Sequence, residues 1–215
     1  MRRGFSLDTN IIAVRHGETD WNSQGRIQGH LNSSLTAAGR AQARAVAQRL
    51  AGEPIAAIHC SDLGRAQETA RPAAETLRLD IRSDARLRER KLGIFEGLTF
   101  LDAEARFPEQ FVRYRGRDPH LELETGESLV MLRDRVAAAM ADIGAEHDGG
   151  TVLVVTHGGV LDILYRLAAD MTLDAPRTFS VENASVNRLR WDGRRLHLVS
   201  WGDVSHHGAS PVGEF

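Results

Sequence analysis

The sequence predicts an α/β protein, a three-layer α/β/α sandwich around a mostly parallel central sheet. Two continuous apolar runs, "IIAV" at 11–14 and "TVLVV" at 151–155, suit strands buried on both faces. Between them lie segments whose apolar residues recur at helical spacing, and strands alternating with such helices build a parallel sheet. The 215 residues are 42% hydrophobic, enough for one well-covered core, so a single domain over 1–215 is expected.

Residues 10–16 read as the first strand, followed by a loop from Gly17 to Leu35. Thr36 can N-cap a helix whose Ala43, Val46, Ala47 and Leu50 share a face, and Gly52 with Pro54 ends it. Ile55 to Cys60 fits a short strand. Arg65 to Leu79 reads as a helix carrying Ala66, Ala70, Ala73 and Leu77 on one side, with Pro72 removing an internal hydrogen bond and kinking it. A further strand is expected near Leu79 to Arg82.

From Leu98 to Gly126 the pattern is irregular, punctuated by Pro108, Gly116 and Pro119, with a helix near Asp102 to Phe107. Leu129, Leu132, Val136, Met140 and Ile143 give the clearest amphipathic helix. Then "TVLVVTHGGVLDILYRL" repeats the opening design of strand, turn and helix. "SVNRLRWDGRRLHLVSW" reads as a closing antiparallel hairpin around Asp192 and Gly193. Residues 203–215 lack periodicity and are expected to form a flexible tail or to drape over the surface.

A net charge of −2 excludes a global field that would draw in nucleic acid or an anionic membrane, and acidic residues interleave with the arginine clusters. No run approaches the roughly 18 apolar residues of a membrane span, and the segment after Arg3 is too polar for a signal peptide. A lone cysteine, Cys60, rules out an internal disulfide and fits a reducing compartment, so a cytoplasmic protein is expected.

The first strand ends in Arg15, His16 and Gly17, and the later one in His157, Gly158 and Gly159. In parallel sheets ligands sit at the carboxyl ends of strands, so both histidines become candidates for one site. A phosphate ester would find there what a dianion needs: the forks of Arg15 and Arg65, backbone N–H groups around Gly158 and Gly159, and a neutral imidazole as nucleophile. A metal pair is the competing reading, but no His-x-His, His-Glu-x-x-His or aspartate cluster accompanies the histidines, and Arg15 would repel a cation. Taken alone, Arg65 reads as a surface arginine, and Glu89, among Arg86, Arg88, Arg90 and Lys91, reads equally as part of a solvated ion-pair face or as a catalytic carboxylate. His30, His59, His120, His147 and His197 gain no partner from sequence.

"RHGETDWN", "SDLGRAQETA", "LRERKLGIFEGLT", "GESL" and "VLVVTHGG" occur in an order and spacing that resemble the histidine phosphatase superfamily, in its phosphoglycerate mutase-like branch. The likeness spans about residues 10–165, and "NASVNRL" and "SHHG" resemble its C-terminal region. It implies a phosphoglycerate mutase-like fold with His16 phosphorylated, His157 donating to the transferring group, and Glu89 as acid and base. By the same likeness Arg15, Arg65, His157 and Gly158 bind phosphate, and Thr19, Asn22, Gln28 and Gly29 contact phosphate or substrate. His206 and His207 lie near the site if the tail folds back.

The expected activity is hydrolysis of a small phosphomonoester through phosphohistidine, with no metal and no cofactor, because arginines and histidines neutralise the transferring group. The expected partner is a small phosphorylated metabolite, not nucleic acid or membrane, and the sequence leaves room for a homodimer. Phosphoglycerate mutase is the alternative. Against it, Leu92 and Phe100 stand where cofactor-dependent mutases carry Tyr and Lys, the segment between Glu89 and "GES" is shorter, and only Arg113, Arg115 and Arg117 offer substitutes for their paired-arginine loop. Leu92, Phe95 and Phe100 suggest a partly apolar approach to the site. A non-catalytic phosphate-binding module is the reading from another class.

Overall fold

A computed structural model describes residues 8–207. Six strands, β1 (Thr9–Arg15), β2 (Ile55–Cys60), β3 (Ile81–Ser83), β4 (Thr151–Thr156), β5 (Val186–Trp191) and β6 (Leu196–Asp203), form one sheet in the order β3-β2-β4-β1-β5-β6. β1, β4, β2 and β3 run parallel, while β5 and β6 add antiparallel to the edge beside β1. The hairpin turns at Asp192 and Gly193 as expected, with the Asp192 carboxylate accepting the Arg194 and Arg195 amides.

Alternation along β1 splits the core in two, because successive side chains point to opposite faces. Ile11 and Ala13 join Val152 and Val154 beneath α6 (Leu129–Glu146) and α7 (Gly158–Ala168). Ile12 and Val14 join Leu153 and Val155 beneath α2 (Ala37–Leu50) and α3 (Gly64–Leu77). Burial on both faces explains why these strands carry no polar alternation. Thr36 caps α2 through the Gly39 amide, and Ser128 caps α6 through the Met131 amide.

Pro72 lies inside α3 as expected, and the helix runs on to Leu77. Two expectations need correction. That helix closes with Arg78 in the left-handed region (φ 56°), and the Leu79 amide bonds back to the Ala74 carbonyl. Leu79 is thus used in closing the helix, and β3 starts at Ile81 rather than Leu79. The second correction concerns the segment read as irregular, which holds α4 (Phe100–Arg106) and then α5 (Pro108–Arg115). Pro108 opens α5 at its first turn, where a missing N–H costs nothing, so it was punctuation of the opposite sense.

α4, α5 and their loops make a small third cluster of Ile27, Leu92, Phe95, Phe111, Leu121 and Leu123 above the carboxyl edge of the sheet. The short α1 (Asp20–Ser23) completes that side. At the other end Ser205–His207 form a 3-10 turn beside α2, and His206 Nε2 meets the Ala184 carbonyl at 3.0 Å. The rest of the expected tail, 208–215, lies outside the described residues. Among the described residues no helix is long and apolar enough to cross a membrane.

Candidate active site

The parallel register of β1 and β4 sets Arg15 opposite Thr156, so the next residue of each strand, His16 and His157, leaves the sheet at the same edge. Their ring centroids are 5.2 Å apart. Both are buried. His16 Nδ1 lies 2.8 Å from the Gly17 carbonyl, an acceptor only, so Nδ1 carries the proton and Nε2 keeps its lone pair. Burial foremost, then the charges of Arg65 and Arg15, hold the His16 pKa well below its ordinary value. The ring is neutral at pH 7.

Gly17 allows this turn because the chain passes against Gly39: a Cβ on Gly17 would lie 2.5 Å from the Gly39 carbonyl oxygen. Arg65, in the first turn of α3, is 1% exposed rather than on the surface. Its Nε donates to His16 Nε2 at 3.3 Å, Nη1 to the Leu31 carbonyl at 2.8 Å and Nη2 to the Gly29 carbonyl at 2.8 Å. Burial pulls its pKa down to about 10, which leaves it charged near neutrality. Arg15 donates to the Val181 carbonyl at 2.6 Å, while its Nε is buried without a partner among the described residues.

His157 N-caps α7, and its Nε2 lies 2.8 Å from Ser61 Oγ at the end of β2. Its Nδ1 is buried without a partner among the described residues. Burial, then the charge of Arg65 and the neighbouring His16, again push the pKa well below the ordinary value. Glu89 is held by the Gly159 amide in the first turn of α7, which donates to its two oxygens at 3.0 and 3.1 Å. The Arg90 amide donates to Oε1 at 2.7 Å.

His16, Arg15, Arg65 and Glu89 border a cavity of about 230 Å³, whereas His157 lines neither this cavity nor a second of about 540 Å³ that adjoins it. Arg15, Glu89, Leu92, Phe100 and Tyr114 line both. A cavity lined by the Arg15 and Arg65 guanidiniums and by the neutral His16 imidazole suits an anion rather than a cation.

The family model of the histidine phosphatase superfamily (branch 1) matches residues 11–204. The chain belongs to this superfamily. Over 200 residues it is 42% identical to phosphoglycerate mutase-like protein 4 of Arabidopsis thaliana, covering 91% of this chain and 86% of that one. It is 39% identical over 202 residues to the metal-independent phosphoserine phosphatase of the same plant, covering 92% and 83%. The solved structure of Bacillus stearothermophilus YhfR superposes with a TM-score of 0.87 at 37% identity, covering 93% of this chain and 99% of that one.

Within this histidine phosphatase, Asn22, Gln28 and Gly29 line the smaller cavity and Gly158 the larger. Gln28 Oε1 is buried without a partner among the described residues. Thr19 sits behind the wall, fully buried: it caps α1 in a capping box with Asn22 and accepts from Gln28 Nε2 at 2.8 Å. Leu92 and Phe100 face the cavities as expected, but Phe95 does not. It is fully buried, packed on Phe107, Phe111 and Tyr114. Arg115 and Arg117 reach the larger cavity, whereas Arg113 turns away to pair with Asp118. His206 reaches no further than the Ala184 carbonyl, behind His16.

Sequence reasoning missed the groups that hold the loop around Glu89. Arg135 Nη2 and His30 Nε2 both bond the Glu89 carbonyl, at 2.9 Å each, and Glu127 of "GES" clamps the same arginine with both oxygens. Asn183, in "NASVNRL", donates to the His16 carbonyl at 3.0 Å and reaches Asn22 Oδ1 at 3.2 Å. Ser61, beside Cys60, gave no hint of its contact with His157, 96 residues away.

Proposed function

We propose that the protein is a phosphatase that releases inorganic phosphate from a small phosphomonoester through a phosphohistidine on His16, without a metal. One observation carries the proposal: a buried, neutral imidazole, protonated at Nδ1, presents Nε2 to a cavity that Arg15, Arg65 and Glu89 also line, with the His157 ring 5.2 Å from its own.

The phosphoryl group enters the smaller cavity, where Arg15, Arg65 and the His157 Nδ1–H carry the charge on its equatorial oxygens. The Ser61 hydroxyl donates to His157 Nε2, which leaves the proton on Nδ1. His16 Nε2 bonds to phosphorus as the ester P–O bond breaks, and protonated Glu89 gives its proton to the leaving alkoxide. The resulting carboxylate takes a proton from water, whose oxygen attacks phosphorus, and the His16–phosphorus bond breaks. Phosphate leaves and Glu89 is again protonated. Asn22, Gln28 and Gly29 shape the phosphate side of the pocket, Gly29 by holding Arg65 and Thr19 by holding Gln28.

The leaving group occupies the larger cavity, lined by Leu92 and Phe100 and also by Arg115 and Arg117. Leu92 and Phe100 have no group with which to hold a phosphoglycerate and favour hydrolysis, whereas Arg115 and Arg117 are the groups on which the mutase reading rests. The name of the metal-independent phosphoserine phosphatase among the relatives supports hydrolysis. A cytoplasmic location fits the lone, buried Cys60. We extend the proposal to a homodimer through the edge strand β6, where Leu198 and Val199 are exposed, and sedimentation equilibrium tests it.

The deciding experiment is phosphate release in EDTA from a panel including phosphoserine, an alkyl phosphate and 3-phosphoglycerate, with the last also scored for isomerisation. Selective release that disappears in His16→Ala, together with acid-labile phosphoenzyme, is the expected result. Isomerisation without release makes the protein a mutase, and no turnover on any ester makes it a binding module.

A further inference from the structure

We propose that His59, Glu146 and His147 form a binding site for one divalent transition-metal cation of the Zn²⁺ class, separate from the phosphoryl pocket. None of the three lines either cavity around His16. His59 projects from β2 and His147 ends α6, 88 residues further on, yet their Nε2 atoms face each other at 2.9 Å. The rings stand nearly perpendicular, at 74°, with centroids 5.1 Å apart. Glu146 Oε1 lies 3.8 Å from His147 Nε2, and the three donor atoms fall within 4.8 Å of one another.

Two imidazole nitrogens and a carboxylate oxygen converging on one point make a three-ligand set that a metal completes with water in the fourth position. Imidazoles select Zn²⁺, Ni²⁺ or Cu²⁺ over Mg²⁺ and Ca²⁺, which prefer all-oxygen shells. Tetrahedral Zn–N bonds of about 2.0–2.1 Å place two nitrogens about 3.4 Å apart, so the rings need to part by only about half an ångström. Both are mounted firmly. His59 sits within the ladder between Arg82 and Val154, and the His147 carbonyl takes hydrogen bonds from Thr9 Oγ1 at 3.0 Å and the Gly150 amide at 2.7 Å.

The imidazoles are largely buried while the Glu146 side chain is 53% exposed, which opens the site to solvent on one side. Arg82 pairs with Glu146, but its side chain is 51% exposed and can release the carboxylate to water. Asp84 stays outside the set because Arg86 holds both its oxygens. A cation here would tie β2 to the end of α6 and stabilise the fold without entering the reaction.

Calorimetric titration of EDTA-stripped protein with ZnCl₂, and separately with MgCl₂, tests the site. Expected is one equivalent of Zn²⁺ bound with Kd of 10 μM or tighter, no Mg²⁺ binding, and unchanged stoichiometry in His16→Ala. Zn²⁺ should raise the thermal midpoint of the wild type. His147→Gln and, independently, Glu146→Gln should weaken Zn²⁺ binding at least tenfold and reduce that rise, with their metal-free midpoints showing that they fold. Zn²⁺ binding equally tight in both variants, or weaker than about 1 mM in the wild type, overturns the proposal.

Discussion

The Gly159 amide donates to both carboxylate oxygens of Glu89, at 3.0 and 3.1 Å, and thereby ties the acid–base group to the first turn of the helix that follows His157. Glycine is required at this close approach, since a Cβ on Gly159 would fall 2.1 Å from Glu89 Oε1. The atom it would strike is the far end of a flexible side chain, so the carboxylate yields before the fold does. Gly159→Ala should therefore fold with a near-normal thermal midpoint and lose about 10² in kcat, the usual cost of ångström-scale misplacement. Unfolding of the variant, or full activity, contradicts this account.

Glu89→Gln keeps the shape and removes the proton. Turnover should fall by about 10² to 10⁴ on an alkyl phosphate and by clearly less on p-nitrophenyl phosphate, whose leaving group needs no protonation. Steady-state kinetics on the two esters decides, and equal losses count against leaving-group protonation.

Ser61→Ala removes the only partner of His157 Nε2 among the described residues. A buried ring nitrogen left unpaired costs about 1–3 kcal/mol. The denaturation midpoint should drop accordingly, and kcat should drop about tenfold as the proton is no longer confined to Nδ1. A loss of stability with kcat unchanged would assign Ser61 a purely structural part.

The two buried histidines also fix a direction for pH. Their native pKa values are depressed below the unfolded value of about 6.5, so below that pH the unfolded chain binds more protons than the native one. Stability is fully present above about pH 6.5 and is lost as pH falls towards the native pKa values, by up to about 1.4 kcal/mol per pH unit for each ring. Urea midpoints between pH 8 and 5 measure this slope, which should be shallower in His157→Gln. Activity should show no loss near pH 6.5 from protonation of His16.

The amino-acid order by itself determined the layers and the edge at which the chemistry sits. Strands such as 11–14 and 151–155 are written in a local code, continuous apolarity, and the helices in another, spacing of three to four. Both codes depend only on neighbours along the chain. The arginine, histidine and glycine residues at the strand ends were legible for the same reason, and so was the hairpin at Asp192 and Gly193.

Only the tertiary structure decided how the side chains of the site are held. Arg65, named for the pocket by its motif although its local pattern alone suits a surface arginine, is 1% exposed because carbonyls of Gly29 and Leu31 arrive from another loop to receive it. Arg135 contacts Glu89 and Ser61 contacts His157 across tens of residues, and Glu127 holds Arg135 in place, a juxtaposition to which no local periodicity answers. The same holds for His59 and His147, and conversely for Phe95, whose chemistry suited the pocket wall but whose neighbours close around it. Local preference sets the elements, whereas hydrogen bonds between distant segments set the site, because those partners meet only when the sheet and its helices are assembled.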